Sequence, residues 1–249
     1  MSIRDIKNYL RNRIWVFLKA RWKLRSGLSM VIANDNDWFV FNEIFTNKEY
    51  DRAFAPFFKN LSTKPLIIDL GANVGYFTLR MADELEQAGI SNYRIISVEA
   101  SETNFAALSQ RLNQPLLSGK VNYYMGLAGH KTGKHAVVEA PDHFGHSAAV
   151  ETGATKKNLV DYLNIETLVG DTQTAIDLLK CDIEGSEEVF IKAYPDLLTR
   201  VKTAVFEFHA RECDVATCRK LLEQAGLFSM GIAKQEEVFQ TSVEIFSRQ

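Results

Sequence analysis

Carboxylates stand at the ends of four predicted strands, and they are the main chemical signal in this sequence of 249 residues. The four strand ends are Asp69-Leu70-Gly71, Glu99-Ala100, Asp182-Ile183-Glu184 and Glu207-Phe208-His209. In open α/β sheets, ligands bind outside the carboxyl ends of the strands, near the point where strand order reverses. Carboxylates accept hydrogen bonds from ligand hydroxyls, and a histidine that titrates near neutrality can act as a base. These acids therefore form the candidate site.

The segment Pro65–Phe77 predicts a buried strand, a glycine-bounded turn and the start of a helix. The run Leu66–Leu70 is apolar apart from one acid, as expected of a parallel strand that is covered on both faces. Gly71 and Gly75 allow a sharp turn and a close approach of a ligand to the backbone. A helix that begins near Val74 would direct its unpaired N–H groups at that ligand. The segment predicts a nucleotide-like ligand.

The details of the turn indicate which nucleotide it would hold. A dinucleotide fingerprint has glycine where this chain has Asn73, which disfavours NAD and FAD. The chain has no Gly-x-x-x-x-Gly-Lys-Ser/Thr segment, which disfavours ATP and GTP. The form Asp-x-Gly-x-x-x-Gly resembles the first motif of class I S-adenosylmethionine (SAM) methyltransferases, whose loop holds the methionine end of SAM. That resemblance gives as cofactor-binding residues Asp69, Gly71, Ala72, Asn73, Gly75 and Tyr76.

Glu99 follows the second predicted strand, 28 positions after Gly71. A carboxylate at this point can accept hydrogen bonds from both ribose hydroxyls of a nucleoside. Ala100 directly follows it in the predicted cofactor site. Asn104 lies in the next predicted helix, where it either contacts the adenosine or supports the loop.

Strands and helices alternate from Pro65 onwards, which predicts a doubly wound, mostly parallel, seven-stranded sheet. Helices are expected after Gly75, from Ser101 to about Leu112, after Gly185 and over about 214–225. The predicted strands lie near 66–70, 94–98, 120–125, 175–181, 203–208, 227–232 and 242–247. We expect one SAM-binding domain over residues 61–249.

Residues 1–60 form a predicted N-terminal extension with its own character. Residues 1–25 carry eight basic residues against one acid, with apolar residues at helical spacing. Such a helix could pack on its own domain or on a second subunit, or contact a membrane surface or an acidic partner. A β-hairpin is predicted from strands at 28–33 and 38–41, and Asn47 is the predicted N-cap of a helix through about Phe58.

The composition is that of an ordinary globular protein, with 46% apolar and 24% charged residues. A net charge of −2 gives no general attraction to nucleic acid. The three cysteines have no metal-ligand spacing, which favours a reducing compartment. No apolar run reaches the roughly 18 residues of a membrane-spanning helix. The sequence predicts a cytoplasmic protein without a transmembrane segment.

Three segments, in order, resemble the FkbM-type family of class I SAM methyltransferases. Val98–Phe105 is similar to the family's Glu-Pro-x-x-x-Asn-Phe segment, with Ala100 where proline is usual. Leu178–Glu187 is similar to its Leu-Lys-Ile-Asp-Val-Glu-Gly-Ala-Glu segment. The spacing of both from Ile68–Gly75 also matches, and the resemblance covers about residues 45–210. The family's common Thr-Leu-Asp-x segment is replaced here by Asn164-Ile165-Glu166-Thr167.

The resemblance implies a Rossmann-like methyltransferase that transfers a methyl group from SAM to a hydroxyl of a small molecule. S-adenosylhomocysteine would be the second product. The acceptor would be a saccharide or a polyketide-like product. A different class of function stays open, in which the chain is a SAM-binding scaffold without catalysis. Half-buried acids at four strand ends argue against the scaffold. Such charges lower the free energy of unfolding, and they are expected mainly where they bind or react with a ligand.

His209 is the predicted base, and Asp182 and Glu184 are predicted to act with it. Residues i and i+2 of an extended segment face the same side, which places those two acids together. They could bind a divalent ion with Glu207, although the sequence does not favour a metal. Alternatively, Asp182 binds the SAM amine, and Glu184 and Glu207 bind the acceptor. Lys180 is expected only to neutralise these acids.

Residues 126–155 lack clear periodicity and predict a long connection over the cleft, with a hairpin at 135–140. His146 and Ser147 are predicted to bind the substrate, with His146 as a second candidate base. A zinc site at His143 and His146 is disfavoured, because no further ligand is spaced nearby.

Overall fold

The computed structural model describes residues 20–138 and 157–248. The strands in these ranges are β1 (Ala20–Lys23), β2 (Ser29–Ile32), β3 (Leu66–Leu70), β4 (Arg94–Glu99), β5 (Val121–Met125), β6 (Lys134–Val138), β7 (Lys157–Asp161), β8 (Ile176–Cys181), β9 (Val201–His209), β10 (Phe228–Glu236) and β11 (Thr241–Ser247). The α-helices are α1 (Asp35–Phe41), α2 (Phe54–Lys59), α3 (Tyr76–Gln87), α4 (Glu102–Leu112), α5 (Ile165–Val169), α6 (Glu187–Ala193), α7 (Pro195–Leu198) and α8 (Val215–Gln224). Within the described ranges, no helix is both long and apolar enough to cross a membrane.

The main sheet has seven strands in the order β10-β11-β9-β8-β3-β4-β5. The five strands from β9 to β5 are parallel, whereas β11 runs antiparallel to both β9 and β10. The predicted mostly parallel, doubly wound sheet is therefore confirmed. The antiparallel pair follows from the short connection between β10 and β11, since a parallel pair needs a long crossover.

Strand β3 lies at the centre of the sheet, and all five of its residues are buried. Its alternate side chains enter two separate apolar cores, one on each face of the sheet. Ile67 packs in the core that includes Tyr76 and Leu79 of α3. Ile68 packs in the opposite core, with Phe190 of α6. This two-sided burial accounts for the continuous apolar run in the sequence.

The strand order reverses at β3. From β3 the chain proceeds through β4 to β5 on one side, and it later returns to place β8 on the other side of β3. The chain leads from β3 to α3 on one face of the sheet and from β8 to α6 on the other, and the cleft lies at the carboxyl ends of these strands. The register aligns Asp69 with Lys180 and Leu70 with Cys181, so the two loops start at the same level.

The predicted hairpin of strands 28–33 and 38–41 is wrong, because the second segment is helix α1. Strand β2 pairs instead with β1, so residues 20–23 of the predicted basic helix form a strand. Asn34 caps α1 by accepting a hydrogen bond from the Asp37 amide at 2.8 Å. Asp37 in return accepts one from the Ala33 amide at 2.8 Å. The polar run is thus a reciprocal helix cap and not a hairpin turn. Residues 1–19 lie outside the described residues.

Asn47 does not begin a helix, which corrects a second prediction in the extension. It follows a π-helical turn, Asn42–Thr46, and its amide donates to the Asn42 carbonyl at 2.7 Å. The helical segment that the sequence predicted starts later, with a 3₁₀ turn at Asp51–Ala53 that leads into α2.

The predicted hairpin at 135–140 differs in its pairing. Strand β6 pairs antiparallel with β7, twenty residues further on, as a separate two-stranded sheet. Residues 139–156 lie between these strands and outside the described residues.

Two buried arginines attach the described part of the N-terminal extension to the main domain. Arg80 donates to the Ile44 carbonyl at 2.7 Å and pairs with Asp51 at 2.9 Å. Arg111 pairs with Asp37 at 2.9 Å, and its guanidinium lies 4.0 Å from the centre of the Tyr76 ring. Apolar residues of the extension also share the core that covers one face of the sheet. The extension is therefore packed against the domain that carries the site.

Candidate active site

The loop after β3 is packed directly against the loop after β8. Gly71 has a φ of +73°, and a Cβ atom there would lie 1.7 Å from the carbonyl oxygen of Asp182. Only glycine allows this approach without a shift of the backbone. Asn73 also has a positive φ, 51°, a conformation that asparagine tolerates better than most residues. The tight loop brings the backbone of residues 71–73 to the cleft.

Glu99 lies at the other side of this loop and is 4% exposed. One carboxylate oxygen accepts a hydrogen bond from the Asn73 amide at 2.8 Å, and the other accepts one from the Ser101 amide at 2.8 Å. Burial raises the pKa of Glu99 to about 7, although the two amides act in the opposite direction. The carboxylate is held rigidly, and each oxygen keeps a lone pair for a ligand.

Lys180 contacts both the loop after β3 and the loop after β8. Its ammonium donates to the Gly71 carbonyl at 2.6 Å and lies 3.4 Å from Asp69 and 3.3 Å from Asp182. Burial alone would lower the pKa of Lys180, but Asp182 and Asp69 outweigh it and raise the pKa above the ordinary value. The lysine is therefore a cation that neutralises the acids, as expected, and it also holds the loop through a carbonyl.

His209, at the end of β9, lies between two glutamates. Its Nε2 is 3.2 Å from Glu184 and its Nδ1 is 3.1 Å from Glu187. Glu187 is fully buried, and the same oxygen accepts hydrogen bonds from the Ile183 and Gly185 amides at 3.1 and 3.2 Å. The buried glutamate therefore fixes which way the imidazole ring faces.

The surroundings of His209 favour its charged form. Burial by itself lowers the pKa of the imidazole, but the hydrogen bonds that it donates to Glu184 and Glu187, together with their charges, raise the pKa to about 12. An imidazolium has no free lone pair with which to accept a proton. The predicted role of His209 as a base stays a prediction, and it requires that the contact with Glu184 opens first.

Glu207 lies next to this group, where the N-terminal extension meets the sheet. It accepts a hydrogen bond from the Tyr50 hydroxyl at 3.3 Å. Burial and the charge of Asp182 raise the pKa of Glu207 to about 8, while His209 acts in the opposite direction. Nearby, Lys234 of β10 pairs with Glu49 at 2.8 Å and lies 3.7 Å from Glu43. Residues of the extension thus lie beside Glu207 and the acidic group around it.

These parts border an open cleft. Its polar lining includes Asn73, Glu99, Asp182 and Glu184. The rest of the lining is formed by Gly71, Val98, Ala100, Gly126, Leu127, Ala128 and Ile183. Three carboxylates face this space, which suits a ligand that carries positive charge and several hydroxyls.

Some predicted cofactor residues lie behind the cleft lining. Asp69 is fully buried and accepts a hydrogen bond from the Thr78 hydroxyl at 2.7 Å. The Tyr76 hydroxyl donates to the Val31 carbonyl at 3.0 Å, towards the N-terminal extension. Ala72 is buried, and Gly75 precedes α3 with a φ of +88°. The Asn104 amide donates to the Ser101 hydroxyl at 3.2 Å in the first turn of α4. These positions shape the loop and its two supporting helices.

The predicted substrate residues are divided between described and undescribed parts of the chain. Glu184 lines the cleft and Glu207 lies beside the Tyr50 hydroxyl, whereas His143, His146 and Ser147 lie outside the described residues. No role of Tyr50 could be predicted, because nothing in its local pattern shows that it contacts Glu207, 157 positions away. Glu187 was visible in the motif that begins at Asp182, but its buried contact with His209 was not.

The arrangement can hold a nucleoside at one end and a reacting hydroxyl at the other. Glu99 offers fixed acceptors for a diol, and the narrow loop at Gly71 allows close contact with a small ligand. Asp182 and Glu184 are placed to accept a proton or to bind a cation. Among the described residues, donor atoms of Asp182, Glu184 and His209 also lie within 4.8 Å of one another, a group that could hold a metal ion.

Comparisons with known proteins identify the family of this chain. The family described as Methyltransferase FkbM domain matches residues 69–227, which is more than half of the chain. A curated relative, Methyltransferase sdnD of Sordaria araneosa, is 29% identical over 187 residues, covering 62% of this chain and 67% of the relative. Methyltransferase 1 of Beauveria bassiana (strain ARSEF 2860) is 24% identical over 220 residues, covering 80% and 83%.

Among solved structures, methyltransferase FkbM from Methylobacillus flagellatus KT is similar with a TM-score of 0.53 and 16% identity. The alignment covers 98% of this chain and 60% of that protein, so the chain spans less than two thirds of its length. At this identity the likeness shows a common fold. Together with the matched residues 69–227, which include the loop after β3, Glu99 and the Asp182–Glu187 segment, it supports a single conclusion. The chain belongs to the FkbM methyltransferase family.

Proposed function

We propose that the protein is a SAM-dependent O-methyltransferase that acts on a hydroxyl of a small molecule, a saccharide or a polyketide-like compound. The observation that carries this proposal is the position of Glu99. Its two oxygens are fixed by the backbone amides of Asn73 and Ser101, at the edge of a cleft that Asp182 and Glu184 also line. This is the placement expected for a receptor of the two ribose hydroxyls.

The residues of the cofactor end fit SAM better than a phosphorylated nucleotide. SAM supplies a methyl group already activated on a positively charged sulfur. The carboxylates of Glu99, Asp182 and Glu184 favour a cation in the cleft, whereas they would repel the phosphates of a dinucleotide. The tight approach of Gly71 to Asp182 leaves a narrow, backbone-lined surface, which fits an amino-acid chain. Asp182, which lines the cleft there, is the residue that would bind its amine.

At the acceptor end, Glu184 would orient the attacking hydroxyl. A carboxylate that accepts the hydroxyl hydrogen directs an oxygen lone pair at the methyl group, and alignment of this kind supplies much of the rate. Glu184 is also placed to take the proton as the new bond forms. His209 holds Glu184 at 3.2 Å and is in turn held by Glu187, so it acts through the glutamate as a positioning residue.

We also propose that the enzyme works in a reducing compartment, the cytoplasm. Its partner would be a small hydroxylated acceptor and not a nucleic acid. Cys181, Cys213 and Cys218 are all buried and free. Free cysteines are typical of proteins from reducing compartments. A near-neutral net charge of −2 also gives no electrostatic drive towards a polyanion. The basic segment 1–25 would serve a contact with a second subunit or another surface.

Calorimetric titration of the purified chain with SAM, S-adenosylhomocysteine and NAD tests the cofactor. We expect SAM and its product to bind in the micromolar range and NAD not to bind. The protein would then be incubated with methyl-labelled SAM and a panel of sugars, phenols and polyketide alcohols. Methylation at oxygen supports the proposal, and methylation at nitrogen or carbon contradicts its chemistry. SAM binding without turnover on any acceptor favours the scaffold.

A further inference from the structure

Three donor groups of different chemistry meet at the acceptor end of the cleft. Ligand atoms of Asp182, Glu184 and His209 lie within 4.8 Å of one another. The separation of His209 Nε2 from the Glu184 oxygen is 3.2 Å. Two adjacent ligands of an octahedral cation with bonds of about 2.1 Å lie about 3.0 Å apart. The observed spacing is therefore close to that of two neighbouring ligands of one ion.

The imidazole of His209 is oriented as it is in metal sites. Its Nδ1 contacts Glu187 at 3.1 Å, and this glutamate is fully buried and fixed by two backbone amides. A metal-binding histidine almost always donates its other N–H to a carboxylate or a carbonyl, which fixes the ring and strengthens the ligand. Here Glu187 would accept the hydrogen bond from Nδ1. The ring then presents Nε2 to the group formed by Glu184 and Asp182.

The charges around His209 are unbalanced. Four carboxylates and two cationic groups surround this point, namely Asp182, Glu184, Glu187, Glu207, Lys180 and His209. Glu187 is fully buried, and its second oxygen has no hydrogen-bond partner among the described residues. Buried carboxylates of this kind are stable when they are paired or when they lie close to a metal ion. One divalent ion that takes the place of the imidazolium proton would reduce this net negative charge by one.

We propose that Asp182, Glu184 and His209 bind a divalent first-row cation at the acceptor end of the cleft. Two carboxylates suit hard ions such as Mn²⁺, and one imidazole disfavours Ca²⁺ and Mg²⁺ relative to Mn²⁺ or Zn²⁺. The cation takes the place of the proton on Nε2, which is released to solvent, while Nδ1 keeps its hydrogen bond to Glu187. Three protein ligands leave coordination positions that open to the cleft lined by Asp182 and Glu184.

The use of this cation rests on the proposed function. A cation with open positions can bind two neighbouring oxygens of the acceptor, and it lowers the pKa of a bound hydroxyl so that the oxygen attacks as an alkoxide or a phenolate. With the cation bound, Asp182 and Glu184 are metal ligands, and the proton of the acceptor hydroxyl is released to solvent. The preferred acceptor would then carry adjacent oxygens, as in a vicinal diol, a catechol or a hydroxy ketone.

The test is a titration of the full chain with Mn²⁺ alone, after treatment with a chelator, followed by electron paramagnetic resonance and calorimetry. We expect one equivalent to bind. Glu184→Gln and His209→Gln should each weaken Mn²⁺ binding at least about tenfold, as loss of a ligand or its support does in metal sites. The matched control is Glu223→Gln, since Glu223 is exposed on α8 and far from the group in sequence. The Mn²⁺ affinity of Glu223→Gln should equal that of the unmodified chain. Circular dichroism confirms that each variant is folded.

Binding of SAM is titrated on the same samples, with and without chelator, so that the two proposals fail separately. Saturable Mn²⁺ binding that Glu184→Gln and His209→Gln weaken supports the cation site, even if SAM does not bind. Absence of saturable Mn²⁺ binding overturns it, even if SAM binds. The cation site is also overturned if Glu223→Gln weakens binding as much as the ligand variants do. If one ligand variant does not fold, the other decides.

Discussion

The two ends of the cleft are built by different physical means. At the cofactor end, the groups that face the ligand are backbone atoms and one carboxylate that two backbone amides hold, around Gly71, Asn73 and Glu99. At the acceptor end, they are charged side chains that hold one another, chiefly Glu184 and His209. The first end depends on local chain geometry, whereas the second depends on contacts between segments that are far apart in the sequence.

This difference shows which end can change without loss of the fold. The cofactor end cannot change much, because the loop after β3 and the loop after β8 touch at Gly71 and Asp182. The acceptor end also borders the N-terminal extension, through the contact of Tyr50 with Glu207. A substitution in the extension can therefore alter the acceptor end while the cofactor end stays intact. The predictions below separate the two ends.

The largest effect is expected for Gly71→Ala. The new Cβ would collide with the Asp182 carbonyl, 1.7 Å away. We expect the free energy of unfolding to fall by at least about 3 kcal/mol and SAM binding to be lost. Gly119→Ala is a matched control, because Gly119 has the same φ of +73° with open space around it. That variant should lose only about 1 kcal/mol. Equal losses in chemical denaturation would contradict a close packing of the two loops.

His209→Ala should separate binding from turnover. We expect SAM affinity within about twofold of the unmodified chain and a turnover that falls at least about a hundredfold, since Glu184 loses its support. His135→Ala is the control, because His135 is exposed on β6. Single-turnover kinetics and calorimetry measure the two quantities. Full activity of His209→Ala would remove the residue from the catalytic group, both as a base and as a positioning residue.

Glu99→Ala should act on the cofactor end alone. Loss of the carboxylate removes two acceptors for the ribose hydroxyls, and we expect SAM to bind at least about tenfold more weakly while the fold remains intact. Glu102→Ala, at an exposed position on α4, is the control. Calorimetric titration gives both affinities. An unchanged affinity for SAM would exclude Glu99 as the ribose receptor.

The pH dependence of SAM binding should follow the ionisation of Glu99. Burial raises the pKa of Glu99 to about 7, so the folded chain without SAM holds a proton that the unfolded chain has released. This group therefore makes the protein less stable as pH rises from its ordinary pKa towards 7. Ribose hydroxyls favour the ionised carboxylate, so affinity should rise about fivefold between about pH 6 and pH 8. Lys180 and Asp182 act on the same carboxylate with opposite signs.

The control for the pH profile is Glu99→Gln, which cannot ionise. Its SAM affinity should be flat over the same range, apart from any titration of SAM itself. If the unmodified chain and Glu99→Gln give parallel profiles, the pH dependence arises from another group.

The smallest effect is expected for Tyr50→Phe, which removes the hydroxyl that contacts Glu207 at 3.3 Å. One hydrogen bond of this kind contributes about 1 kcal/mol, so the acceptor KM should rise about threefold while SAM affinity stays unchanged. Tyr123→Phe, on β5, serves as the control. A change in SAM affinity with no change in acceptor KM would show that the extension supports the cofactor end instead.

Local patterns predicted the central sheet well and the N-terminal extension badly. Strands β3 and β8 were predicted from segments that are mostly apolar, because a strand that is buried on both faces carries few polar side chains. The segment Asn34–Asp37 has the composition of a hairpin turn and also that of a helix cap. Packing of α1 against Arg111, by way of Asp37, decides between them.

The sheet, the glycine-bounded loop and the acids at four strand ends could be predicted from local patterns. These depend on backbone sterics, on burial periodicity and on the fact that parallel strands end at one edge of a sheet. Which acids meet was settled by the tertiary structure. It placed Glu187 behind His209, Lys180 beneath Gly71 and Tyr50 against Glu207, because contacts between distant segments are set by how the helices and the extension pack on the sheet. It also decided the charge state of His209, since the pKa of a buried imidazole is governed by its neighbours in space.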